Sequence, residues 1–175
     1  MKKITAVIAL SVSSTVMAEA TIRVGEDAVS LFLAPQPTGT NSAQLGLIYN
    51  DDLDTTMISG GLFANGAREQ FKGRLGGKLY YVDLDGNSGY GLALGGDLTL
   101  ALNQDMSLIG GAYYGPSSIS FSDVDGYEEW YVKAQFQLFP NGALAVGYSS
   151  FELEPKRGKD VELDDGVFVE MSLSF

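Results

Sequence analysis

The sequence predicts an all-β protein, a closed antiparallel transmembrane β-barrel of 8 to 10 strands formed by residues 19–175. Three observations carry that reading. Apolar residues recur at every second position over segments of roughly 10 residues. The intervening positions are mostly glycine, alanine, serine and threonine, with few charges. The chain also opens on a leader-like segment. A water-soluble barrel or sandwich would turn its apolar parity inward, and the remaining parity here makes a poor solvent face. Turned toward lipid, the same apolar parity leaves a crowded interior of small residues.

Lys2 and Lys3 precede a stretch from Ile4 to Val16 that is apolar or small, and Val16-Met17-Ala18 supplies the residues a signal peptidase reads. Residues 1–18 are therefore expected to be a secretory signal peptide cut after Ala18, with a cut after Ala20 as the alternative. The run is too short for the roughly 20 residues of a spanning helix, and Ser11, Ser13, Ser14 and Thr15 interrupt it. Its removal deletes two lysines and no acids, taking the net charge from -11 to -13.

Strands are expected near 28–34, 43–50, 54–64, 71–83, 88–102, 105–115, 127–139, 142–154 and 166–175. Three show the alternation best. Tyr90, Leu92, Leu94, Leu98 and Leu100 share one parity, Trp130, Val132, Phe136 and Leu138 another, and Val167, Val169, Met171, Leu173 and Phe175 a third. Nine strands conflict with the even number of single-chain bacterial barrels. Either residues 21–34 fold as a hairpin around Glu26-Asp27, giving ten, or the first run stays outside an eight-stranded wall. Asn103-Gln104 and Pro140-Asn141-Gly142 read as tight turns, while 116–126 and 155–165 read as long acidic links. Long outer loops and short periplasmic turns put Phe175 at the periplasmic rim. Tyr49, Tyr80, Tyr81, Tyr90, Tyr113, Tyr114, Tyr127 and Tyr131 then form one interfacial girdle, and Phe63, Phe71, Phe139 and Phe175 the other.

Composition excludes several chemistries. The 175 residues include no cysteine and no histidine, so thiolate sites, disulfides and the Ser-His-Asp triad are out of reach. With 22 acidic against 11 basic residues, no nucleic-acid partner is expected. Interior charge concentrates on Arg74, Lys78, Asp97, Lys133 and Glu170, all on inward parities. A turn centred near Gly86 would set Gly76 opposite Asp97, with Arg74 and Lys78 diagonal to it. Such charges form either a salt-bridge network that plugs the barrel or a polar lumen for a small solute, with Gly91, Ala93, Gly95 and Gly111 leaving room. Asp83, Asp85 and Asn87 resemble the start of a calcium loop but lack its downstream glutamate. They join the acidic runs at 50–54, 123–125 and 162–165 as loop and turn residues. Divalent ions could link those runs to lipopolysaccharide, and Lys156, Arg157 and Lys159 form a lone basic knot. GLALGG at 91–96 lies inside a period-two segment, so it is no nucleotide loop, and no cofactor is expected.

The stretches GLFANG at 61–66, GGKLYYVDLD at 76–85, GLALGGDL at 91–98, GAYYGPSSISFSD at 111–123 and ELDDGV at 162–167, with Phe175, resemble the YfaZ family of bacterial proteins. The resemblance implies an outer-membrane barrel of unknown function, with no catalytic residues to carry over. The expected role is structural or that of a small-solute channel, among outer-membrane lipid and lipopolysaccharide. Surface adhesion or ligand binding through the outer loops is the alternative, and a histidine-free lipid-modifying enzyme a further one. Phe175 closes the outward series of its strand and resembles the C-terminal signal read by barrel-assembly machinery. Deleting it is expected to lower the yield in the outer membrane and leave periplasmic aggregates, measured by membrane fractionation.

Overall fold

The computed structural model describes residues 18–84, 87–156 and 160–175. Most of the predicted leader, Asp85 and Gly86 of the calcium-like run, and Arg157 and Lys159 of the basic knot lie outside them. The strands are β1 (Ala18–Val24), β2 (Ala28–Pro35), β3 (Asn41–Asn50), β4 (Thr55–Arg68), β5 (Phe71–Leu84), β6 (Asn87–Ala101), β7 (Met106–Gly115), β8 (Ser120–Ser122), β9 (Val124–Phe139), β10 (Gly142–Pro155) and β11 (Val161–Ser174). All pairings are antiparallel. Neighbours in sequence pair with each other, β7 passes to β9, and β11 returns to β1, so ten strands close a barrel. The first hairpin turns at Gly25-Glu26-Asp27, which supplies the tenth strand and settles the count.

The short β8 is no wall strand of its own. Leu94 pairs with Tyr114 on β7, but Gly91 pairs with Ser120 on β8, so β8 resumes the line of β7 after a brief excursion. A single 3-10 turn, Ser117–Ile119, makes that excursion. The Ile119 carbonyl lies against Gly91, and the Ser120 hydroxyl meets that of Tyr80 at 3.1 Å, so the detour packs against the inner wall. The link at 155–165 is shorter than its acidity implies: Glu152 pairs with Glu162 and Leu153 with Val161, leaving 156–160 between strands. Leu153 and Leu163 are completely buried, and that burial holds both strand ends against a run of carboxylates that alone would read as loop.

The outward parity is apolar around the barrel. Leu62 and Leu75 are 74% and 73% exposed, and Leu45, Ile58, Leu79, Leu94, Leu98, Val167 and Met171 are also exposed. A face of this kind is stable against hydrocarbon and would aggregate in water. Tyr81, Tyr90, Tyr114, Trp130 and Tyr148 face out toward the end remote from Phe175, while Phe71, Phe139 and Phe175 face out near the other. The predicted girdles are therefore about half right. Tyr80, Tyr113, Tyr127, Tyr131 and Phe63 are buried in the interior instead.

Those inward rings explain the inward glycines, which do not leave the lumen empty. Tyr131 stands directly across from Gly111, Tyr113 from Gly95, Tyr80 from Gly91, Phe63 from Gly76, Phe168 from Gly147 and Phe32 from Gly46. Each aromatic lies over the glycine on the neighbouring strand: a Cβ on Gly111 would be 2.6 Å from Tyr131 Cζ, and one on Gly147 would be 2.7 Å from Phe168 Cζ. The ring covers backbone that a glycine leaves bare. Gly111→Ala is therefore expected to cost about 1–3 kcal/mol through overpacking. Gly110→Ala, on the lipid side with no atom nearer than 3.7 Å, is expected to change little. Unfolding of both variants in detergent micelles compares them.

Candidate functional site

The barrel interior divides into two halves. Toward the end remote from Phe175, Met57, Tyr80, Val82, Val124, Leu153 and Leu163 are at most 1% exposed and pack with Tyr127 and Phe151. Tyr80 stacks on Tyr127 at 4.8 Å, and Phe151 meets Tyr127 edge-on at 6.2 Å. Asn50 bolts this layer from above: its side-chain amide donates to the Leu163 carbonyl of β11 and its side-chain oxygen accepts from Leu53 N–H. These side chains form an apolar seal across the lumen.

On the other side of the seal lies a cavity of about 490 Å³, which reaches Gln70, Asn103 and Asp105 in the turns at the Phe175 end. Arg74, Lys78, Asp97, Lys133 and Glu170 all line it, and the structure shows how they pair. Arg74 stands directly opposite Asp97 and Gly76 opposite Gly95, a register two residues away from the one centred on Gly86. Arg74 Nε donates to both Asp97 oxygens at 2.7 and 2.8 Å, Arg74 Nη2 donates to Gln44, and the Tyr113 hydroxyl donates to Asp97 at 2.8 Å. Lys78 lies across from Ala93, away from Asp97. Its ammonium crosses the lumen to Glu129, over the Tyr113 ring at 3.7 Å. Glu129 also accepts from the Tyr127 hydroxyl, so this pair sits at the boundary with the seal.

Glu170 accepts from two cations. Lys133 reaches one oxygen, and Arg23 donates to the other from Nε at 3.1 Å and Nη2 at 3.0 Å. Arg23 and Glu170 are direct cross-strand partners on β1 and β11, and the Phe168 ring covers the guanidinium at 4.0 Å. The sequence reading named neither Arg23 nor Glu129. Arg23 falls in the hairpin that reading left undecided, although its alternation with Ile22 and Val24 was a usable signal. Glu128 and Glu129 put a carboxylate on both parities, so alternation alone could not choose the inward one; the structure buries Glu129 and exposes Glu128. Phe175 points outward, more than half exposed. Among the described residues, no group of three or more acids is arranged to hold a metal ion.

The family model described as YfaZ precursor matches residues 1–175. The chain belongs to the YfaZ family. It is 32% identical over 143 residues to the outer membrane protein YfaZ of Escherichia coli (strain K12), with 78% of each chain covered. It is thus a β-barrel protein of the bacterial outer membrane, and its apolar belt faces lipid. Among solved structures, the KdgM porin in complex with disordered oligogalacturonate aligns with a TM-score of 0.51 at 10% identity, over 91% of this chain and 99% of that one. The NanC porin aligns with a TM-score of 0.46 at 10% identity, over 92% and 99%.

The pairing scheme separates two charge-removal experiments. Asp97→Ala leaves Arg74 without its carboxylate, at a cost of about 3 to 5 kcal/mol before water in the cavity reduces it. Adding Arg74→Ala is expected to recover part of that loss. Adding Lys78→Ala is expected to deepen it, because Glu129 is then stranded. Unfolding midpoints in micelles for the single and double variants measure the difference.

Proposed function

We propose that this YfaZ-family barrel is a non-enzymatic small-solute channel, held closed in the conformation described. The carrying observation is the asymmetry of the lumen, a polar cavity open at the Phe175 end and stopped by an apolar seal. Solute enters the charged vestibule freely and passes only when the seal gives way. Packed apolar residues would fill such a space at lower desolvation cost than seven ionised side chains, which favours a role in contact with solute. Against catalysis, both interior lysines are held by carboxylates, and the buried Ser120 and Ser149 bond to Tyr80 and Asp164.

In this reading residues 1–18 are the cleaved leader. β1 begins at Ala18, so a cut after Ala18 keeps Glu19 opposite Ser174, whereas a cut after Ala20 removes two pairs from the ladder with β11. The end holding the turns at 25–27 and 51–54 faces outward, where its carboxylates meet lipopolysaccharide. The Phe175 end faces the periplasm, where assembly machinery receives the chain.

Conductance in planar bilayers tests the channel. The native barrel is expected to stay closed apart from brief openings. Tyr80→Ala combined with Leu153→Ala removes two blocks of the seal and is expected to give sustained current. A doubly substituted barrel that folds and still carries no current would mark the protein as structural.

A further inference from the structure

The cavity that opens at the Phe175 end is electrically balanced. Its lining carries five cations and five carboxylates. The deeper ones are already joined: Arg74 to Asp97, Lys78 to Glu129, and both Arg23 and Lys133 to Glu170. Glu19 also acts on Lys133, and the buried Asp164 on Arg23. The Tyr113 and Tyr127 hydroxyls are given to Asp97 and Glu129. A solute with net charge would therefore find no unused counter-charge, and its desolvation would go uncompensated. A zwitterion would have to part ion pairs that now sit in contact, Arg74 with Asp97 at 2.7 Å among them.

Neutral groups share the same wall. Six amide side chains line the cavity, Gln44 and Gln135 half-buried within it and Gln70, Asn103, Gln104 and Gln137 exposed toward the mouth. Each amide has two N–H donors and an acceptor oxygen, and the protein uses few of them. Gln44 accepts from Arg74 with its oxygen and keeps both donors. Gln137 donates to the Phe139 carbonyl and keeps its oxygen. The Gln135 side chain, on β9 between Ser107 of β7 and Ala145 of β10, bonds to no other described residue. In the ring of ten, β3 and β9 are five strands apart, so Gln44 and Gln135 stand on opposite walls. Phe32 lies beside Gln44: its cross-strand partner is Gly46, two residues on, and its half-buried ring lines the cavity.

We infer that this vestibule binds a neutral polyhydroxylated solute of the monosaccharide class, with Gln44 and Gln135 on its hydroxyls and Phe32 against its C–H face. The inference deepens the channel reading above, rests on solute reaching the cavity, and names the class of that solute. A hydroxyl both donates and accepts, which is the mixture an amide offers in return. The C–H face of a sugar ring has apolar area to bury, and Phe32 supplies apolar surface next to the Gln44 donors. An uncharged solute also leaves every ion pair in place. The cavity volume of about 490 Å³ lies within the range of small-molecule sites.

Glucose, sodium glucuronate and glucosamine hydrochloride share one ring and differ in charge, and L-glutamine serves as a zwitterion. Each is added to the folded full chain in micelles at constant ionic strength and about pH 6, between the ordinary ranges of carboxylates and amines. Glucose is expected to raise the unfolding midpoint saturably, and the other three are not. Sugars also stabilise proteins by exclusion from their surface, which does not saturate, so a purely linear rise with glucose overturns the site. Gln135→Leu removes an amide that no described residue uses, and is expected to weaken glucose about three- to tenfold, the loss of a neutral hydrogen bond. Phe32→Leu is expected to weaken it as well. Gln135→Glu adds one negative charge at nearly constant shape and is expected to admit glucosamine. Binding of glucuronate or L-glutamine as strong as that of glucose overturns the inference, as does an unchanged glucose response in Gln135→Leu. The probe comparison needs only the native chain, so the question stays answerable if a variant fails to fold. Binding is read without flux. Glucose binding in a barrel that never conducts therefore defeats only the channel reading, and current without selective glucose binding defeats only this one.

Discussion

Closure between β1 and β11 is the constraint on which the rest of this structure depends. In hydrocarbon an open sheet edge leaves peptide groups unpaired, at several kcal/mol each, so a barrel that fails to close is not a lesser barrel but no barrel. The joint is short, running from Glu19 opposite Ser174 to Val24 opposite Val169, while β9 and β10 pair along nearly their whole length. Side chains inside the wall reinforce it. Arg23 binds Glu170 across the joint, and the Thr21 and Ser172 hydroxyls meet at 2.8 Å one step below. Glu170 also ties the joint to β9 through Lys133, so the same carboxylate that fixes the register also shapes the vestibule.

The two halves of the lumen follow from what the inward parity carries at each height. Toward the acid-rich end the inward residues are mostly apolar, Met57, Val82, Val124, Leu153 and Leu163, and most carboxylates there stay outside or on the rim, while Asp164 is buried and accepts from the Ser149 hydroxyl. Burying the others would demand counter-charges, and the basic residues are mostly spent lower down. Toward the Phe175 end the inward residues are ions, amides and hydroxyls, which pack less completely and leave the cavity of about 490 Å³. The boundary runs through Glu129, which accepts from Tyr127 of the seal and from Lys78 of the vestibule. A single carboxylate thus touches both compartments.

The alternation that announced the barrel also named the right face for the long strands, since period two needs no tertiary information. Three features were beyond its reach. Height along a strand and the face of the wall are separate coordinates: Tyr80-Tyr81 and Tyr113-Tyr114 are neighbours at one height, yet one tyrosine of each pair points in and the other out. Register across the hairpin of β5 and β6 depends on where the chain turns, and an error of one position at the turn moves the pairing by two, enough to assign Lys78 the partner of Arg74. Glycines read as vacant space because the ring that covers each one comes from the adjacent strand, a partner that no single-strand pattern displays.

Rings seated on glycines also bear on the mechanics of the cylinder. The softest deformation of a thin tube is flattening of its cross-section, and in a barrel this requires adjacent strands to roll about the line where they meet. Tyr131 on Gly111, Tyr113 on Gly95, Tyr80 on Gly91, Phe63 on Gly76 and Phe168 on Gly147 each place a flat plate across such a line, resting on the backbone of the next strand. Rolling inward there presses ring against main chain, and rolling outward parts a close contact. The interior therefore acts as a set of internal struts, with Phe32 on Gly46 the sixth, and shape changes are left to the seams without them: β1 with β2, β3 with β4, β9 with β10 and β11 with β1.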